Sequence, residues 1–131
     1  FRKYVPLPPP GVENGMISIS QDMAKYGEIR VPNCVHAVCC TVFSCVYLLL
    51  GRYMAYVGTT KLWDIAGCLP LVLKCGYNIE LFGGEPVTDK ITDKICNLNP
   101  IDPKCWFMKE KIIVAANKKL LDYVRKTITC A

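Results

Sequence analysis

Residues 51–76 read GRYMAYVGTTKLWDIAGCLPLVLKCG, and the rest of the chain is best read outward from them. Gly51 is placed to stop a preceding helix, because a residue without Cβ enters the left-handed region freely. Tyr53 to Val57 is a short apolar run directly after that stop. Its length and character predict a central strand covered on both faces. Gly58-Thr59-Thr60 reads as a loop, and Trp63-Asp64 opens a second apolar stretch ending at Lys74, with Gly76 as its stop. An aspartate at a helix start accepts hydrogen bonds from orphan amides and suits the helix dipole. Pro70 lies too deep for a first-turn proline, which predicts a kink there.

Upstream, Val35 to Leu50 is apolar almost all round, and its length favours a helix over a strand. A helix apolar on every face belongs between two layers. Met16 to Ser20 alternates apolar and hydroxyl residues, as a half-buried strand does, after the turn signal Asn14-Gly15. Glu28 to Val31 reads as a second short strand. Residues 1–11 carry Pro6, Pro8, Pro9 and Pro10 and read as an extended segment. Downstream, Asn78 to Phe82 reads as a strand and Gly83-Gly84 as a turn. Thr-Asp-Lys-Ile occurs twice in 87–95, and Val87, Ile91 and Ile95 fall four apart, which predicts a short amphipathic helix. Asn97 to Pro103 reads as a loop and Ile112 to Ala116 as an apolar strand. Asn117 caps a last helix with Leu120, Leu121, Val124 and Ile128 on one face. Strands alternate with helices, so the expected class is α/β, a layered α-β-α domain around a mixed, largely parallel sheet.

The chain has 131 residues, 52% of them hydrophobic and 21% charged. That suits one domain with a real core and argues against global disorder. No apolar run reaches the roughly 18 residues of a membrane span. The net charge of +5 is uneven: residues 102–131 carry seven basic and three acidic side chains, the first 101 nine and eight. A basic end can meet nucleic acid, but no RNA-binding or zinc-finger motif accompanies it, and a solvated helix face is the plainer reading. The nine cysteines are odd in number, and the first six lie mostly among Val, Leu and Ala. They read as small buried hydrophobes in a reducing, cytoplasmic compartment rather than as a disulfide framework. Cys34, Cys39, Cys40 and Cys45 offer the alternative of a metal site, without a C-x-x-C pair and with His36 as the only histidine.

The stretch opened above resembles the C-terminal signature of the inositol monophosphatase superfamily, approximately G-R-x-x-A-Y, a loop, K-x-W-D-x-A-[AG]-G and an apolar helix. Gly51, Arg52, Ala55, Tyr56, Lys61, Trp63, Asp64, Ile65, Ala66 and Gly67 match in order. Ile113 to Asn117 and the helix after it resemble the family's closing strand and helix. Gly11 to Ser20 faintly resembles its G-x-x-x-N-G-x-x-I-x-V-S segment, one residue short. The resemblance implies a domain over 16–131, with 1–15 as a linker or the end of a preceding amino-terminal domain. It implies that Asp64 is a ligand in a multi-Mg²⁺ site hydrolysing a small phosphate monoester, such as an inositol or sugar phosphate. Counting back from Gly51 sets Cys39, Cys40 and Thr41 where the family's G-[ST]-A-A backbone contacts substrate. Trp63 reads as packing and Lys61 as a surface or loop contact.

Two family motifs, G-E-E and D-P-[IL]-D-G-T, are absent from the sequence. Both belong to the family's N-terminal half, so the resemblance is to the C-terminal half alone, and no complete catalytic set is expected here. Gly58 and Thr59 stand where inositol-specific members carry an acidic residue, and Lys74 to Tyr77 replaces E-A-G-G. The expected partners are an N-terminal half of the same family and a phosphorylated small molecule. A homodimer is implied by resemblance; a membrane and nucleic acid are not. The alternative from another class is a non-catalytic binding or assembly module derived from the family.

Overall fold

The computed structural model describes residues 3–129; Phe1, Arg2, Cys130 and Ala131 lie outside the described residues. Its centre is a five-stranded sheet in the order β3-β1-β4-β6-β5. The strands are β1 (Met16–Ile19), β3 (Val35–Ala37), β4 (Tyr53–Gly58), β5 (Asn78–Leu81) and β6 (Ile112–Ala115). β1 pairs parallel with β3 and β4, while β6 is antiparallel to both β4 and β5. One reversed strand in five makes the sheet mixed and largely parallel. A two-stranded antiparallel ribbon joins β2 (Glu28–Ile29) to β7 (Ile128–Thr129).

β4 is buried at all six positions, as an apolar run between two covered faces should be. The strand alternation divides the core. Ile112 and Val114 pack with Tyr53 and Tyr56 in a cluster under α2 (Thr41–Leu49), α3 (Leu62–Ile65) and α4 (Leu69–Lys74). Ile113 and Ala115 pack on the other face under α1 (Gln21–Tyr26) and α5 (Lys118–Thr127). Ser18, buried in β1, meets Ser44 of α2 through a hydrogen bond of 2.8 Å between hydroxyls, so neither is left unpaired in the interior.

The predicted helix stops are present. Gly51 has φ +65°, its N–H donates to the Leu48 carbonyl, and Arg52 N–H donates to Tyr47. Gly76 has φ +79° and repeats the pattern with Leu73 and Val72. Both are Schellman endings, in which glycine alone avoids a Cβ penalty. Asn117 Oδ1 accepts from Leu120 N–H at 3.0 Å and starts α5.

Five expectations are corrected. Val35 to Leu50 is not one helix: Val35–Ala37 form edge strand β3 on β1, and Cys39 breaks the run with φ +59° before α2. α2 is also not covered all round, for Val42, Val46, Tyr47 and Leu50 are exposed. The helix through Pro70 is two helices separated at residues 66–68, and Pro70 sits in the first turn of α4, where a missing N–H costs nothing. Residues 87–95 form no helix. Val87 and Ile95 still reach the core, anchored by Val87 N–H on Ile79 O and Ile95 N–H on Thr92 O. Finally, Ile128 is buried as predicted, but in β7 and not on the helix.

Candidate functional site

The loop after β3, the start of α2, the end of β4 and the start of α3 meet at one end of the sheet. They enclose a cavity of about 440 Å³ lined by Ser20, Asp22, Cys39, Cys40, Thr41 and Tyr56, with Thr59 and Asp64 at its side. That volume suits a small ligand. Asp64, Cys39, Cys40 and Thr41, singled out from the sequence, thus share one cavity although 23 positions separate Thr41 from Asp64.

Asp64 is the third residue of α3. Its Oδ2 accepts the Lys61 backbone N–H at 3.0 Å, so it satisfies an orphan amide at the helix start. The capping and cavity positions are therefore compatible in one side chain. Cys40 precedes α2 and Cys39 holds the left-handed turn before it; both thiols are exposed. The reading of the early cysteines as buried hydrophobes holds for Cys45 and Cys68, and fails for Cys34, Cys39 and Cys40. Cys34 precedes edge strand β3 and the other two follow it ahead of α2, at the margin of the sheet. A hydrogen bond with Cys68 and burial both push the Cys45 thiol up, so it stays protonated. Thr41 is buried, its hydroxyl 3.0 Å from the Tyr56 hydroxyl. Burial pushes the Tyr56 phenol up, and the carboxylates of Asp22 and Asp64 add to that.

Asp22 was not singled out by the sequence reading. It stands in the first turn of α1, a helix too short for a periodicity signal. Its carboxylate accepts from the Ser20 hydroxyl and from Thr59 Oγ1. Lys111 Nζ lies 3.9 Å away. Burial pushes the Asp22 carboxyl up, but the Ser20 and Thr59 hydrogen bonds and the Lys111 charge outweigh it and hold it below the usual aspartate range. The available signal was Ser20-x-Asp22, a helix-start pattern after a strand.

The backbone at Gly58 is closely approached by its neighbours. A Cβ there would lie 2.5 Å from the Tyr56 hydroxyl and 2.6 Å from Ser20 Cβ, so no side chain fits without rearrangement. Thr59 is committed to Asp22 through its hydroxyl. Lys61 is a loop contact, with Nζ 5.4 Å from the Trp63 ring centroid and 4.9 Å from that of Phe107. Trp63 is not a packed residue: it is 59% exposed, because α3 turns Ile65 inward instead.

Among the described residues, no group of three or more His, Cys, Asp or Glu side chains is placed to hold a metal ion. The basic end is partly neutralised in place. Lys118 and Arg125 both pair with Glu80, and both reach Asp122. No helix among the described residues is long and apolar enough to cross a membrane.

No protein-family model and no curated protein matches the sequence. Solved structures do match in fold. A Pyrococcus horikoshii protein with similarities to inositol-1 monophosphatase superposes with a TM-score of 0.62 at 16% identity, over 94% of this chain and 45% of its own. A staphylococcal inositol monophosphatase I complexed with products gives 0.66 at 16% identity, over 96% and 44%. An inositol monophosphatase/NADP phosphatase complexed with Mg²⁺ and phosphate gives 0.63 at 15%, over 96% and 43%. The chain spans less than half the length of each, a share consistent with the C-terminal half that the sequence resembles. The fold of this chain is therefore that of inositol monophosphatases, over about 45% of their length.

Proposed function

We propose that this chain is the carboxy-terminal portion of a Mg²⁺-dependent phosphatase acting on small phosphate monoesters, an inositol or sugar phosphate, and that an amino-terminal half completes its site. The observation that carries this reading is the convergence of Asp64 with Cys39, Cys40 and Thr41 on one cavity, in a fold shared with inositol monophosphatases. Asp64 offers a hard carboxylate oxygen of the kind Mg²⁺ prefers. The residues present do not by themselves fit a magnesium site. One Asp64 oxygen already accepts from Lys61, and Asp22 is engaged by Ser20, Thr59 and Lys111. The other ligands belong to the half carrying the glutamate and D-P-[IL]-D-G-T motifs. What this chain contributes is position: the backbone ahead of α2 faces the cavity where a phosphate would lie, and Tyr56 and Thr41 hold that backbone against β4. The free thiols at eight described cysteines support a reducing compartment such as the cytoplasm.

The test combines this chain with the polypeptide encoded immediately ahead of Phe1 and measures Mg²⁺-dependent release of phosphate from inositol monophosphate and from sugar phosphates. Release by the pair, and a drop of at least ~100-fold with Asp64→Asn, is the expected outcome, since even outer-shell changes at metal sites cost 10–100-fold. Full activity of Asp64→Asn removes the metal assignment. An associating but inactive pair favours the assembly module.

A further inference from the structure

We infer that Cys45 and Cys68 form a redox modification site, a dithiol that hydrogen peroxide converts to a disulfide, stapling α2 to the segment that carries Asp64. This site stands whether or not the chain acts on phosphate monoesters. Each cysteine follows a cavity residue by four positions, Cys45 after Thr41 and Cys68 after Asp64. Thr41 opens α2, and Cys45 stands one turn further on the same helix face. Asp64 lies in α3, and Ala66 and Cys68 keep right-handed helical backbone angles after it. Behind the cavity the two side chains meet. They belong to one core cluster, are 0% and 2% exposed, and are joined by a hydrogen bond between the thiols. The Cys68 thiol also donates to the Ile65 carbonyl at 3.3 Å. With that proton directed at a backbone oxygen, the Cys45 S–H is the donor between the two sulfurs.

A single buried cysteine is explained as a small hydrophobe. Two in contact across a junction between helices are a dithiol with a fixed partner. A disulfide needs its β-carbons about 3.8 Å apart, a spacing that side chains already in contact reach with little movement. The step balances with hydrogen peroxide as oxidant. The Cys68 sulfur, as thiolate, attacks a peroxide oxygen. The O–O bond breaks, an S–O bond forms, and the departing hydroxide takes up the proton that Cys68 released. The Cys45 sulfur then attacks the Cys68 sulfenic acid. The S–S bond forms, the S–O bond breaks, and the leaving hydroxide takes the Cys45 proton. Two thiols lose two electrons and two protons, and one peroxide becomes two waters. In a reducing compartment such a bond is transient, and a free thiol reverses it by exchange.

The experiment treats the folded chain with hydrogen peroxide, traps the remaining thiols with N-ethylmaleimide in urea and maps the peptides by mass spectrometry. A Cys45–Cys68 cross-link is expected as the main intramolecular product. Its share of all cross-links should be roughly tenfold higher than in chain oxidised while unfolded, because the fold holds the two sulfurs together. The urea midpoint should rise on oxidation and return with dithiothreitol. Cys45→Ala and Cys68→Ala, with the fold checked by circular dichroism, should each abolish the rise, and Cys34→Ser should leave it. Where an alanine variant does not fold, the peptide map of the unaltered chain decides. Cross-links or sulfinic acids confined to Cys34, Cys39 and Cys40, which are exposed and compete for peroxide, overturn the dithiol. So does a Cys45–Cys68 share no higher than in the unfolded chain. A cross-link that forms without raising the midpoint overturns the staple.

Discussion

The helices on the two sides of the sheet bury similar inner surfaces and turn different outer ones. α5 places Leu120, Leu121 and Val124 against the sheet and Lys118, Lys119 and Lys126 in solvent, with Arg125 and Asp122 in its ion pairs. α2 places Cys45, Leu48 and Leu49 inward and Val42, Val46 and Leu50 outward, with no charge on either side. α5 is an ordinary surface helix of a finished protein. α2 has the composition of an interior helix with one side open. The contrast separates what stabilises this domain, which is symmetric across the sheet, from its outward apolar surface, which is on one side.

The symmetric part gives the largest expected effects. Leu48 and Leu121 are both fully buried, one in each cluster. Each Leu→Ala change should lower unfolding free energy by about 3 kcal/mol, the middle of the range for buried leucines. Urea unfolding measures this. A small effect at Leu48 beside a large one at Leu121 would break the symmetry and mean that the α2 layer is loosely held in this chain alone.

Among the described residues, the α5 side has a second, electrostatic fastening that the α2 side lacks. Glu80 on β5 pairs with Lys118 at 2.8 Å and with Arg125 at 2.6 Å. Burial pushes the Glu80 carboxyl up, but the hydrogen bonds from Lys118 and Arg125 outweigh it and hold it below the usual glutamate range. A depressed folded-state value means that the ionised form is favoured by folding. The stabilisation is full above the unfolded glutamate value and is lost as pH falls through the folded one. Glu80→Gln should cost about 2 kcal/mol at neutral pH, the scale of hydrogen bonds to charged groups. It should also flatten the acid limb of stability against pH. A melt series from neutral to acid pH checks both, and an unchanged acid limb assigns acid sensitivity to Asp22 instead.

The two sides also differ in how far the sequence disclosed them. α5 was legible because its signals are local: Asn117 as cap, then apolar residues at helical spacing. Gly51 and Gly76 were legible for the same reason, since each is required by a positive φ within its own turn. β4 was legible from five apolar residues after a stop. The start of α2 was not, because apolar character runs unbroken from β3 into the helix, and only the backbone turn at Cys39 separates them. Val87 and Ile95 kept helical spacing yet reach the core from irregular chain, tied to Ile79 and Lys109 by backbone hydrogen bonds. At the cavity, Asp64 and residues 39–41 came through family resemblance, whereas Asp22 became visible only when α1 and the Thr59 loop were seen to share it.

A smaller change acts at the junction between the layers' common sheet and α2. Cys39 holds φ +59°, a region that costs an L-residue on the order of 1 kcal/mol and costs glycine almost nothing. Its thiol makes only a weak contact with Ala37 O at 3.9 Å. Cys39→Gly should therefore raise stability by about 1 kcal/mol, offset in part by the extra freedom of glycine in the unfolded chain. Thermal unfolding measures it. A loss of stability would show that the exposed thiol holds the loop, and would make Cys39 a structural member of the cavity wall.

The smallest effect is the one that sharpens the contrast most. Val46→Lys and Lys119→Glu both change exposed positions in helices. Such changes usually move stability by no more than about 0.5 kcal/mol. In this chain alone the two should be indistinguishable by denaturant midpoint, because both side chains reach water. Unequal stability, with Val46→Lys costing about 2 kcal/mol or more, would instead place Val46 in a contact this domain makes by itself, and the asymmetry between the layers would then belong to folding.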